Sequence, residues 1–210
     1  AIVAKANLAP SVHNTQPARW HLEQDGSILI AADLSRHLSI GDPQYRDMGV
    51  SCGAATEGTV MALAENGVHS AHIENLWESN DRTTLPGHRL AARLTLGAQG
   101  QAMELGRHVA NRFTWRSYFK PVSHVKSQEL LTWAANSPDA CLAHSQSDIS
   151  FLADLADTAA MLFLRDMAFR KELLAWMRLS PRHANYQLDG MNLEAVQMGR
   201  LEGMGAAMVL

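Results

Sequence analysis

Nine residues near the start of the chain, Ala9-Pro10-Ser11-Val12-His13-Asn14-Thr15-Gln16-Pro17, constrain it most. They put a helix stop, two amides and the Ser11 and Thr15 hydroxyls together without a compensating apolar face. Pro10 and Pro17 push the residue before each toward extended backbone, so the polar groups between them sit on a stiffened loop. The amides of Asn14 and Gln16 each set a donor beside an acceptor, the pattern that reads the edge of a heterocycle such as flavin, pterin or purine. A capped turn, with Ser11 and Asn14 bonded to nearby backbone, accounts for the same residue types.

The chain is long enough to bury a ligand. Its 210 residues, 47% hydrophobic and 19% charged, suit one soluble globular domain or two small ones sharing a core. A net charge of -3 gives no electrostatic case for nucleic acid or an anionic membrane surface. No apolar run approaches the roughly 20 residues that span a bilayer, and no secretory leader opens the sequence. Cys52 and Cys141 are few and far apart, which reads as reduced thiols in a cytoplasmic setting.

Along the chain, Ala1 to Leu8 reads as the end of a helix stopped by Pro10. Arg19–Glu23 and Ile28–Ala31 flank Asp25-Gly26, a hairpin signal that anchors the loop to a sheet. Gln44 to Asn66 predicts a helix ended by Gly67, and its small-residue middle, Gly49 to Ala55, allows close approach of a neighbour. Strands are expected at 71–76 and 90–96, joined by a polar connection containing Asp81, Pro86 and Gly87. A short helix over 103–110, a helix over 125–135, a short strand at Cys141–Ala143 and one long helix from Asp148 toward Trp176 follow. The Gly- and Met-rich tail from Leu188 reads as a mobile lid or a broken end.

A second polar cluster occupies residues 107–119, where Arg112, Thr114 and Arg116 place guanidinium groups around a hydroxyl. That set suits a phosphate, and a solvated basic turn explains it equally simply. The ten histidines show no HExxH or Cys-x-x-Cys companion and no ligand spacing, so no metal site is expected.

With Ala18-Arg19-Trp20 after it, the first loop resembles the APSxHNTQPWRF loop of the nitroreductase superfamily's fused, Acg-type branch, with Ala18 where the family has Trp. Asp42-Pro43 through Ala55 resembles that branch's DPxxRExxISCGAAL segment. Residues 112–116 resemble its RRTNRRPF segment, with Phe113 and Trp115 as departures. Trp176, Arg178, Asp189, Gly190 and Met191 resemble its W-x-R…DGM run.

The resemblance implies an α+β nitroreductase-like fold, with a central antiparallel to mixed sheet flanked by helices. It also implies two half-domains forming an intrachain pseudo-dimer: residues 1–100 with the flavin-ring loop, and residues 101–210 as a second half lacking its C-terminal part. FMN is the cofactor so implied, held by Pro10, Ser11, His13, Asn14 and Gln16 toward the ring and by Arg112, Thr114 and Arg116 toward the phosphate. NAD(P)H would be the donor and a nitroaromatic or quinone the small-molecule acceptor, in a ping-pong reaction that needs no catalytic side chain because the flavin carries the chemistry. The chain would act as a monomer or a homodimer. A flavin-sequestering protein with little turnover is the alternative, since it needs the same contacts.

Overall fold

The computed structural model of the chain describes residues 1–78, 85–116 and 119–209. Asp81 of the expected connection, and Ser117 and Tyr118 of the arginine segment, lie outside the described residues. The chain divides into two compact units, Ala1–Thr114 with Lys171–Leu210, and Trp115–Arg170.

In the first unit, β1 (Ala18–Leu22) and β2 (Ile28–Asp33) form the expected hairpin, with Ala18 opposite Ala32 and Leu22 opposite Ile28. Its turn closes because Gly26 adopts φ +83° and the Asp25 carboxylate accepts from the Ser27 N–H at 2.9 Å. β3 (Val68–Asn75) and β4 (His88–Gln99) complete an antiparallel sheet of order β1-β2-β4-β3. β2 is apolar at successive positions, so both of its faces are buried. Ile30 and Ala32 join Met48, Cys52, Ala55 and Leu63 of α2 (Arg46–Glu65), whereas Leu29 and Ala31 join Leu76 and Leu90. Each fully buried Leu or Ile contributes about 1.5–3 kcal/mol.

Helix α2 starts at Arg46, two residues after the expected Gln44, because Tyr45 is left-handed at φ 61°. The buried carboxylate of Asp42 then caps the first turn by accepting from the Met48 N–H at 2.9 Å. The small residues of α2 admit close neighbours. A Cβ on Gly58 would stand 3.0 Å from the Ala6 carbonyl oxygen of α1 (Ile2–Ala6), and one on Gly49 would stand 2.7 Å from the Trp77 ring. Trp20 of β1 donates its indole N–H to Thr59 of α2 at 2.9 Å, tying sheet to helix.

The second unit holds α3 (His124–Ala135) and α4 (Gln146–Arg165), capped by the hydroxyls of Ser123 and Ser145. The expected strand at Cys141–Ala143 does not form. These residues are an exposed connection between α3 and α4, and among the described residues no strand pairs with them. The expected single helix from Asp148 to Trp176 is two, α4 and α5 (Met167–Ala175). The break is Asp166, whose extended backbone ends α4 and whose carboxylate accepts from the Ala168 N–H at 2.7 Å to start α5.

The segment over 103–110 is a 3-10 helix, Glu104–Asn111. The tail holds regular elements: β5 (Met177–Arg178) pairs in parallel with β6 (Met191–Asn192), followed by α6 (Leu193–Val196) and α7 (Arg200–Val209). No described helix is long and apolar enough to cross a membrane.

Burial pushes the Cys52 thiol up to about 12, while Cys141 is exposed. Native protein at pH 8 should therefore release one equivalent of thionitrobenzoate rapidly with Ellman's reagent, and the second only on denaturation. Two rapid equivalents would show that the α2 face carrying Cys52 is open.

Candidate functional site

The loop after α1 is wound by its own short bonds. Asn14 N–H donates to the Ser11 carbonyl at 3.0 Å, Thr15 N–H to the Val12 carbonyl at 2.9 Å, and Gln16 N–H to the Ser11 hydroxyl at 2.9 Å. This winding puts His13, Asn14 and Gln16 at φ 46°, 53° and 49°. A left-handed backbone costs a residue with a Cβ about 1–2 kcal/mol, less where Asn adopts it, so the loop needs support from outside.

Support arrives from three directions. On the α2 side, the Val12 N–H donates to the Ser51 hydroxyl at 3.1 Å. From the end of β2, Arg36 donates to the Thr15 carbonyl at 2.8 Å, and the Asp33 N–H donates to the Pro17 carbonyl at 2.8 Å. The third support is the strap between β5 and β6. Asn14 and Gly190 exchange two bonds, side-chain N–H to the Gly190 carbonyl at 3.0 Å and Gly190 N–H to the Asn14 carbonyl at 3.1 Å. Gln16 gives its amide hydrogens to the Leu188 carbonyl at 2.7 Å and the Asn14 side-chain oxygen at 3.1 Å, and accepts from Asn7 at 2.9 Å.

The strap is itself pinned by Asp189. One carboxylate oxygen accepts from two guanidinium nitrogens of Arg178 at 3.1 and 2.7 Å, and the other meets Arg36 and Asn185, each at 3.3 Å. Burial pushes this carboxyl upward, but the bonds and charge of Arg178, with Asn185 and Arg36, outweigh it and hold the group below the usual carboxylate range. Arg36 and Arg178 also flank the Trp176 ring, at 6.0 and 5.6 Å from its centroid.

On another side of the loop, Pro10 and Arg112 line one mainly apolar cavity of about 320 Å³ with Leu8, Gly58, Met61 and Val109. Arg112 reaches it by donating to the Leu8 carbonyl at 3.2 Å. The structure thus brings Pro10 and Arg112 together, whereas Ser11, His13, Asn14 and Gln16 do not line that cavity. Thr114 is exposed in the first unit, and Arg116 is exposed in the second. Arg36 and Asn7 were not legible as site residues, since neither sits in a motif. Asp189 and Arg178 stood in the sequence only as a resemblance without a role.

No family model matches the chain. It is similar to "Putative NAD(P)H nitroreductase acg" of Mycobacterium tuberculosis, 32% identical over 96 residues that cover 40% of this chain and 28% of that protein. It is also similar to "Putative NAD(P)H nitroreductase Rv3131" of the same organism, 34% identical over 84 residues, covering 40% of this chain and 24% of that protein. The chain thus matches about a quarter of the length of these curated relatives. A solved nitroreductase family protein from Streptococcus pneumoniae TIGR4 aligns with TM-score 0.37 and 16% identity, over 57% of this chain and 82% of that one.

Gly190 is left-handed at φ +72°, and a Cβ there would lie 2.5 Å from the Trp176 carbonyl oxygen. Gly190→Ala should destabilise the first unit by about 2–4 kcal/mol in urea unfolding, through backbone strain and overpacking together. An unchanged midpoint would show that the strap is not seated on Trp176.

Because the folded Asp189 value is lowered, its stabilisation is fully present above the unfolded value of about 3.9 and is lost as pH falls through the folded one. The melting-temperature gap between wild type and Asp189→Asn should therefore be wide at pH 7 and narrow below about pH 4. A gap independent of pH would mean that the charge of Asp189 contributes nothing.

Proposed function

We propose that this chain holds FMN and serves as an oxidoreductase of the nitroreductase kind, with NAD(P)H as donor and a nitroaromatic or quinone as small-molecule acceptor. The named relatives support a nitroreductase-like oxidoreductase. The observation that carries the reading is the meeting of loop residue Pro10 and Arg112 on one cavity. In this reading the pseudo-dimer of halves 1–100 and 101–210 assembles the site, as a monomer or as a homodimer in the cytoplasm.

The residues present fit the group. Arg112 commits one guanidinium N–H to Leu8, which leaves donors from its set of five for a phosphate. Asn14, exposed at the loop tip, commits one side-chain N–H to Gly190 and keeps the other. Arg112, Thr114 and Arg116 would hold the phosphate. Pro10, Ser11, His13 and Asn14 would hold and orient the ring, with Asn14 donating to its edge and Gln16 steadying the Asn14 amide.

When bound, the flavin supplies hydride and electron transfer in a ping-pong cycle. The protein's part is to fix the ring, exclude water from the apolar wall of Leu8, Met61 and Val109, and set the potential by donating to the ring edge.

The strap favours a second reading. Leu188 and Gly190 lie on the loop amides, so the same contacts suit a protein that retains flavin with little turnover.

Purified protein should show the absorbance bands of bound oxidised flavin and release FMN on heating. Arg112→Ala and Arg116→Ala should each weaken FMN by about 1.5–3 kcal/mol, the range of a charge-assisted hydrogen bond. Unchanged affinity in both would reduce the cluster to a solvated turn. NAD(P)H oxidation with menadione separates the readings, because a retaining protein binds flavin without turnover.

A further inference from the structure

The loop amides are not equivalent. Gln16 has both of its amide hydrogens committed, to Leu188 and to Asn14, and its oxygen accepts from Asn7. As a donor toward any ligand it is exhausted. Asn14 accepts from Gln16 and donates one hydrogen to Gly190, so one side-chain N–H remains. The direction of that N–H is set by the bonds that hold the same amide plane on Gln16 and Gly190.

Those bonds depend on the placement of Leu188 and Gly190, the residues on either side of Asp189. Asp189 is held by Arg178 on one oxygen and by Arg36 and Asn185 on the other. Arg36 uses one nitrogen for both tasks, donating to Asp189 and to the Thr15 carbonyl between Asn14 and Gln16. The carboxylate is therefore connected to the loop by two independent routes, through Arg36 to Thr15 and through the flanking backbone to Asn14 and Gln16.

We propose that Asp189 is a positioning residue for the ligand loop. It locks strap and Arg36 together so that Gln16 serves as scaffold and Asn14 presents a single N–H donor to a ligand edge that carries an acceptor. The ligand class this selects is a ring with an acceptor atom, such as a carbonyl oxygen or an imine-type nitrogen, at the edge facing Asn14. The assignment rests on the proposed function only in taking that ligand to be a flavin.

The test reads the amides directly in the full chain. Side-chain NH2 signals of Asn14 and Gln16 are assigned in the ¹⁵N spectrum from difference spectra of Asn14→Ala and Gln16→Ala. In Asp189→Ala both pairs should shift toward the position of a solvent-exposed amide, while the Trp20 indole signal, bonded to Thr59, stays in place. Unmoved Asn14 and Gln16 signals in folded Asp189→Ala would overturn the proposal.

Should Asp189→Ala fail to fold, Asp189→Asn decides, because it keeps the size of the side chain and one acceptor oxygen while removing the charge that holds Arg178 and Arg36. Shifted amides with a fixed indole support the assignment, and unmoved amides overturn it. FMN titration is run separately. Failure of wild type to bind flavin overturns the reading of function, while the amide spectra still decide the role of Asp189.

Discussion

The burial of β2 on both faces is the constraint from which the rest of the first unit follows. A strand that hides Ile30 and Ala32 on one side and Leu29 and Ala31 on the other needs a cover on each face and a neighbour on each edge. Helix α2 supplies one cover and the Leu76 and Leu85 region the other, with β1 and β4 alongside. The site hangs from the same strand. The last β2 residue, Asp33, holds the Pro17 carbonyl, and Arg36 just beyond it holds Thr15. The loop is thus fixed to the most buried strand of the sheet, where a fraction of an ångström of movement would disturb close-packed side chains.

Local signals in the sequence were sufficient where one short segment determines its own shape. Asp25-Gly26 announced the hairpin, Gly67 the end of α2, and Pro10 with Pro17 the polar loop. The missed break at Asp166 was written in a local code, an Asp poised to cap α5, but the apolar periodicity of 152–167 masked it. The strand expected at 141–143 failed for the opposite reason. Its residues have strand-like character, but a strand needs a partner, and pairing is not a local property.

The site divides in the same way. Pro10, Asn14, Gln16 and Arg112 were legible as polar or stiff residues in clusters, whereas what each one touches was not. Asn14 meets Gly190 across 176 positions, and Arg36 meets Asp189 across 153. No periodicity or spacing rule reaches that far. Residue types therefore indicated a heterocycle reader with two equal amides, and only the strap reveals that one of them is scaffold. In the proposed function the same strap suits both readings, since a contact that would steady a ring for electron transfer would also slow its departure.

The distance between loop and strap in the chain has a consequence for how the protein is made. The loop leaves the ribosome well before the strap, yet three of its members sit in a backbone conformation that they do not favour alone. The groups that stabilise that conformation at Leu188, Asp189 and Gly190 are synthesised far later. The hairpin and α2 can form while synthesis proceeds and bring the Ser51 and Arg36 contacts to the loop, but the contacts of the strap close a far longer stretch of chain and come last. Shaping of the ligand loop is accordingly a late event in folding. Until then the nascent chain carries a sheet whose loop still lacks the bonds to Leu188 and Gly190.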